Sequence, residues 1–270
     1  MHIGIDPNIA TFGSFSIGWH GILMFIGIVV GVLLTLHLAR RVGFTEDIIY
    51  TSSICAVIFG LIGARITHIL DHLGDYRGNP GEMIALWNGG LGWYGGLIGG
   101  VLAVVVYSRI RKFSLARFAD AAAPGIMLGL SIGRIGCTIN GDSVGTPTSL
   151  PWGFIYTNPD SYAYPYLWVA THPAAVYEII WNMALFGLLW RLKDRIKPDG
   201  SLFLVMIVVY SFGRFFISFV RDEVTVLGPL HESHIISIAL FVIAVALLAY
   251  GKVRLMKPEP PEVKVQEPQP

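Results

Sequence analysis

Seven stretches of this chain are apolar enough, and close enough to the ~20 residues that cross a bilayer, to be read as membrane spans. They run at about Trp19–Leu38, Ile49–Leu70, Gly92–Tyr107, Ala119–Ile139, Ala174–Leu192, Leu202–Val220 and Ile235–Tyr250. Lipid offers no water to unpaired backbone groups, so such spans must be helices, and the alternation of a membrane barrel is absent. Composition agrees: 54% of the 270 residues are hydrophobic and 14% are charged, against about 25% charged in a soluble domain, and the mean hydropathy is +0.62. The expected fold is an all-α integral membrane protein, a bundle of seven transmembrane helices over residues 1–256. A tail rich in Pro, Glu, Lys and Gln, 257–270, is expected to be disordered in the cytoplasm.

Basic residues between the spans set the orientation. The first connection carries Arg40 and Arg41. The third carries Arg109, Arg111, Lys112 and Arg117, and the fifth Arg191, Lys193, Arg195 and Lys197. With Lys252, Arg254, Lys257 and Lys264 of the tail, these make 14 of the 19 basic residues. The other side holds only Arg77 and Arg221. The N-terminus is therefore expected outside and the C-terminus in the cytoplasm, in a multi-pass membrane protein. No basic stripe is interleaved with aromatics, so nucleic acid is not an expected partner. Cys55 and Cys137 have no CxxC spacing, so neither a disulfide framework nor a zinc site is indicated, and no cofactor or metal is expected. Met1 to Gly18 has no Lys or Arg and does not read as a cleaved signal peptide.

Arg65, Arg134 and Arg214 lie within spans. Charges at such depth are costly and usually functional. Given the orientation, each sits near the outer end of its span, with Arg65 about five residues, or ~8 Å, below the surface. Span five runs the other way and places His172 at its outer mouth, with Glu178 about one and a half turns below. Guanidinium groups at headgroup depth suit a phosphate, which arginine grips with paired hydrogen bonds. The bland alternative is snorkelling to the interface, and for Arg65 the two readings weigh equally. Glu178, at membrane depth, is expected to pair with an arginine, although its place in the opening turns also suits the helix dipole. His172 could be a base or an interface histidine.

Asn88 to Gly100 is the other unusual stretch, with seven glycines in thirteen residues around Tyr94. Glycine permits close helix packing in lipid and close approach of backbone to a ligand. The connection from Gly141 to Thr171 is long and rich in Pro, Tyr and Trp, as lids and interface anchors are.

Gly133-Arg134-x-Gly136-x-x-x-Asn140-Gly141-Asp142-x-x-Gly145 resembles the signature of prolipoprotein diacylglyceryl transferases. Further matches follow in order: Gly63-Ala64-Arg65, Gly89-Gly90, Gly95 to Gly99, His172-Pro173 with Tyr177-Glu178, and Gly213-Arg214-Phe215-Phe216 with Phe219 and Arg221. The resemblance covers about Trp19 to Arg221, and seven spans with an outside N-terminus are also what that family shows. It implies transfer of the diacylglyceryl group of phosphatidylglycerol to the lipobox cysteine of a prolipoprotein signal peptide. A thioether forms and glycerol phosphate leaves, the first step of lipoprotein maturation. By carry-over Arg134 and Arg214 are the essential arginines, Asn140, Asp142 and Gly145 shape the phosphatidylglycerol site, and Arg221 sits at its outer mouth. Arg65 and Glu178 join the substrate-binding set.

The chain departs from the family pattern at several positions. Tyr94 stands where the family usually has a histidine, proposed there as the base that deprotonates the substrate thiol. Cys137 replaces an asparagine, Asp142 a glutamate, Phe25 a tyrosine and Ser218 a glutamate. Tyrosine, with a pKa of about 10, is a weak base near neutrality, while a free thiol at about 8.5 needs only moderate help. Two readings stay open: Tyr94 or His172 serves as base, or the chain is a non-catalytic paralogue that binds phospholipid or lipoprotein precursor. A transporter of anionic solutes fits less well, because no repeats and no charged path to the inner side are visible.

Overall fold

A computed structural model describes residues 1–13, 15–76, 80–85, 90–223, 225–228, 230–251 and 254–255. The expected tail 257–270, Arg77, Lys252 and the Asn88-Gly89 pair lie outside the described residues.

Seven helices are long and apolar enough to cross a membrane. They are α1 (Trp19–Arg41), α2 (Glu46–Asp71), α3 (Trp93–Ile110), α4 (Leu115–Asn140), α5 (Ala174–Leu192), α6 (Ser201–Ser218) and α7 (Glu232–Tyr250). The chain is therefore a multi-pass membrane protein, and α5 has the bounds expected from the sequence. At α2, α4 and α6 the starts differ from the expected ones, and polar groups explain them. The first turn of α2 includes Glu46 and Asp47, acidic residues favoured at the positive end of a helix dipole. Helix α4 starts at Leu115 because Ser114 Oγ accepts a hydrogen bond from the Arg117 N–H at 3.3 Å. Helix α6 starts on a carboxylate lent by another helix: Asp120 of α4 accepts from Gly200 N at 2.7 Å and Phe203 N at 2.8 Å.

Two helix pairs approach closely, and glycine is the reason. Helices α1 and α4 cross antiparallel with Gly27 and Gly31 against Gly129 and Gly125. A Cβ at Gly27 would sit 2.5 Å from the Gly129 carbonyl oxygen, and one at Gly31 2.9 Å from that of Gly125. Helices α2 and α3 pair likewise through Gly63 and Gly95. Without a hydrophobic force between helices in lipid, small residues at the crossing are what let helices pack. Away from the site, apolar side chains fill the interior: Ala123 and Met127, Leu185 and Leu189, Leu202 and Met206 of α4, α5 and α6 form one buried cluster. The outer face is bare and apolar, with Phe25, Ile58, Leu102, Ile180 and Val242 all exposed, as a lipid-facing surface is.

The all-helical expectation needs one correction: short strands cap the bundle. β1 (His2–Ile3) pairs in parallel with β4 (Phe154–Tyr156), which pairs antiparallel with β5 (Ala170–Thr171). β2 (Asn8–Phe12) and β3 (Phe15–Gly18) form a hairpin, as do β7 (Thr225–Leu227) and β8 (Leu230–His231). β6 (Ile196–Lys197) pairs with β9 (Arg254–Leu255) at the opposite end. Segments of two to five residues are too short for a visible period of two, and the partners of β1 and β6 are remote in sequence. The connection after α4 is thereby tied down, with Ile3, Tyr156 and Ala163 forming a small core.

Candidate active site

The N-termini of α1, α3, α5 and α7 and the C-termini of α2, α4 and α6 share one end of the bundle, and the charged groups collect there. Glu178, in the second turn of α5, is 3% exposed. It is the hub. Arg134 Nε of α4 lies 2.6 Å from Glu178 Oε2, an ion pair whose N–H is not aimed at the oxygen. Arg214 Nη1 of α6 donates to Glu178 Oε1 at 2.6 Å, and Arg221 Nη1 donates to the same oxygen at 2.8 Å. Arginines 134 and 214 thus meet on the two oxygens of one carboxylate.

A second carboxylate completes the cluster. Glu223 Oε1 accepts from Arg214 Nη2 at 2.5 Å and faces Arg221 Nε at 3.0 Å. Ser233, in the first turn of α7, donates its hydroxyl to Glu223 Oε2. Ser143 Oγ bridges the other side, accepting from Arg134 Nη1 at 3.2 Å and Arg221 Nη2 at 3.3 Å. Burial raises the pKa of Glu223, but Arg214, the Ser233 hydroxyl and Arg221 pull it further down, so it lies below the ordinary glutamate value. Arg221 is depressed from the usual arginine value by burial first and by the neighbouring Arg214 second. Three guanidiniums face two carboxylates, an excess of one positive charge. Among the described residues Arg134 Nη2 and Arg214 Nε have no partner, so donors remain for an incoming anion.

The loop after α4 is shaped around this cluster. Gly141, at φ +79°, ends α4 in the left-handed conformation that glycine adopts freely. Asn140, buried at the last helical position, donates Nδ2 to Asp142 Oδ2 at 3.0 Å. Gly145 bridges to Arg221 across an antiparallel pair, and its N–H donates to the His172 carbonyl at 2.9 Å. A side chain at Gly145 would collide with Val220 and His172, so glycine there fixes the backbone that carries Arg221.

Other expected residues lie elsewhere. Arg65 is buried, and it donates Nε to the Met83 carbonyl at 2.8 Å, Nη2 to Glu82 O at 2.5 Å and Nη1 to Gly90 O at 2.9 Å. It braces the α2–α3 connection through these three carbonyls. Tyr94, in the first turn of α3, lies in the electrostatic field of Glu232, Glu223, Arg214 and Arg221. His172 Nδ1 is 3.4 Å from Tyr177 Oη, which accepts from Trp152 Nε1 at 2.9 Å. Phe25 is 67% exposed and faces outward, and Ser218 donates its hydroxyl to the Arg214 carbonyl at 2.8 Å, within α6.

Sequence reasoning missed Glu223, Ser143 and His20. Glu223 follows Arg221 by two residues and Ser143 lies inside the glycine-rich motif, so adjacency to a candidate arginine was the available signal. His20, at the start of α1, lies 3.2 Å from Asp142 Oδ2, a contact no local spacing announces.

Comparison with known proteins identifies the family. The chain matches the model of the family described as prolipoprotein diacylglyceryl transferase over residues 7–250. A relative from Nostoc sp. is 34% identical over 259 residues, covering 92% of this chain and 90% of its own. One from Clostridioides difficile is 36% identical over 234 residues, 87% and 90%. One from Listeria innocua is 32% identical over 262 residues, 94% and 92%. Each of these relatives is named phosphatidylglycerol–prolipoprotein diacylglyceryl transferase. With seven spans, a matching motif order and a family match across nearly its whole length, the chain belongs to the prolipoprotein diacylglyceryl transferase family.

Proposed function

We propose that the protein is an enzyme that transfers the diacylglyceryl group of phosphatidylglycerol to the lipobox cysteine thiol of prolipoproteins. The sulfur forms a bond to the glyceryl carbon, the carbon–oxygen bond to phosphate breaks, and glycerol phosphate leaves. The observation that carries the reading is the convergence of Arg134, Arg214 and Arg221 on Glu178, with donors of Arg134 and Arg214 left over. Donors fixed in advance around a developing anion stabilise it without reorganisation, and in a site poor in water they count for more. An arriving phosphate also relieves the mutual repulsion of the arginines.

In this reading Arg134 and Arg214 hold the phosphate and offset charge growing on the leaving group. Arg221 closes the outer side, Glu178 holds all three guanidiniums in place, and Asn140, Asp142 and Gly145 shape the loop above them. Arg65 contributes by holding the α2–α3 connection, through which Tyr94 is placed. Of the two candidate bases, Tyr94 shares the field of the arginines, whereas His172 is engaged with Tyr177. The transferase domain is 1–256 and the tail 257–270 lies in the cytoplasm. In this reading the site faces the outer leaflet of a bacterial plasma membrane, and the basic connections at the opposite end support that facing.

Purified protein supplied with labelled phosphatidylglycerol and a lipobox peptide tests this directly. The expected product is a peptide carrying label in a thioether, resistant to the base that cleaves acyl esters. Binding of phosphatidylglycerol without any thioether, under conditions in which a relative is active, would favour a non-catalytic lipid binder, the reading that Tyr94, Cys137 and Ser218 motivate.

A further inference from the structure

Cys137, buried on α4, faces His20 of α1 and Asp142 of the following loop. His20 Nδ1 is 3.6 Å from Cys137 Sγ and 3.2 Å from Asp142 Oδ2, and the three donor atoms all lie within 4.8 Å of one another. We propose that these three side chains form a site for one zinc-like divalent metal ion. Tetrahedral bonds of about 2.0–2.1 Å to nitrogen and oxygen and 2.3 Å to sulfur place nitrogen about 3.6 Å from sulfur and about 3.3 Å from oxygen. The two distances to His20 match those edges. One ring nitrogen faces both a thiol and a carboxylate, and a single N–H bonds only one of them well. A cation between them takes a lone pair from all three.

The surroundings are those of a built site. Asn140 Nδ2 and Ser143 Oγ donate to the two oxygens of Asp142, at 3.0 and 3.2 Å, and hold the carboxylate. Arg134 Nη1 donates toward Cys137 Sγ at 3.8 Å and so orients the sulfur from outside the ligand set. Gly136 makes the geometry possible, since a Cβ there would lie 2.9 Å from His20 Cα and push α1 away. The mixed nitrogen, sulfur and oxygen set fits zinc and excludes magnesium and calcium, which take oxygen.

Three protein ligands leave a fourth position open, the pattern of catalytic rather than structural zinc. A thiol entering that position is held as thiolate, its proton passing to water. That consequence rests on the transfer reading, whereas the metal site does not.

Detergent-purified protein, stripped with chelator and titrated with cobalt(II), tests the site without any transfer assay. The expected result is one cobalt per chain, with a thiolate-to-cobalt charge-transfer band and the visible bands of four-coordinate cobalt, both displaced by zinc. The charge-transfer band is retained in Cys55→Ser and lost in Cys137→Ser, while His20→Ala weakens binding at least tenfold. The chain has two cysteines, so the Cys55→Ser result alone assigns the band if Cys137→Ser fails to fold. A wild-type protein without the band at millimolar cobalt, or a band lost in Cys55→Ser, overturns the proposal. Separately, transfer that falls on stripping and returns with zinc supports the thiolate role. A full rate in stripped protein removes that role and leaves the cobalt result standing.

Discussion

At the scale of single residues the site is an argument about compensation. Glu178 is nearly sealed from solvent and answers three guanidiniums. Glu178→Gln keeps the shape and removes the charge, leaving the arginines to repel one another. Breaking a buried pair from one side costs about 3–5 kcal/mol, so the variant is expected to lose thermal stability in detergent, and an unchanged unfolding midpoint would contradict the hub role. Arg134→Ala and Arg214→Ala are each expected to lower transfer at least a hundredfold while the protein still inserts, the scale of losing a donor to a developing anion. Lysine should not restore either, because an ammonium lacks the paired donors of a guanidinium. Near-normal rates in either alanine variant would reject the phosphate clamp. Glu223 supplies a pH dependence. Its folded pKa lies below the ordinary value, so its stabilising contribution is complete above the unfolded pKa of about 4.3 and is lost as pH falls through the folded value. Acid unfolding below about pH 4 should therefore be less steep in Glu223→Gln.

Helices succeed or fail here by how near their backbones come. A Cβ at Gly63 would overlap the Gly95 carbonyl oxygen, whereas one at Gly187 would meet nothing within 4 Å. Gly63→Val is expected to loosen α2 from α3, displace Tyr94 and make the purified protein more susceptible to protease, while Gly187→Ala leaves all three properties unchanged. Equal behaviour of the two variants would show that close packing at Gly63 is dispensable. The helices were legible because each is a long apolar run, and α5 was legible to the residue because Pro173 opens it and basic residues close it. The intramembrane arginines were legible because charge in lipid needs a reason. Their partners were less so. Glu223 lies in a short connection that reads as solvent loop, and Arg65 shares the depth of the other arginines yet turns to the carbonyls of residues 82, 83 and 90. His20 meets Cys137 across 117 positions, a distance that only the glycine seam between α1 and α4 brings to contact.

For the whole molecule the remaining question is which way it sits. The polar cluster and most of the short strands occupy one end, while the opposite end carries Arg40, Arg41, Arg109, Arg111, Lys112 and Arg117. Several of those basic residues are held by acids of their own end: Arg111 Nη2 donates to Asp47 at 2.9 Å and Arg117 Nε to Asp199 at 2.8 Å. Such pairing does not cancel the rule, because orientation follows Lys and Arg near the span ends and is little affected by Asp and Glu. The proposed orientation therefore turns the cluster end outward, where it would meet an outer-leaflet phosphate and a signal peptide emerging from the membrane. Single cysteines introduced in a Cys55→Ser, Cys137→Ser background separate the alternatives. A cysteine at Phe12 should react with an impermeant maleimide in intact cells, and one at Lys193 should react only after the membrane is opened. The reverse pattern would turn the cluster toward the cytoplasm, where a precursor not yet exported could reach it and the outward lipid clamp could not operate.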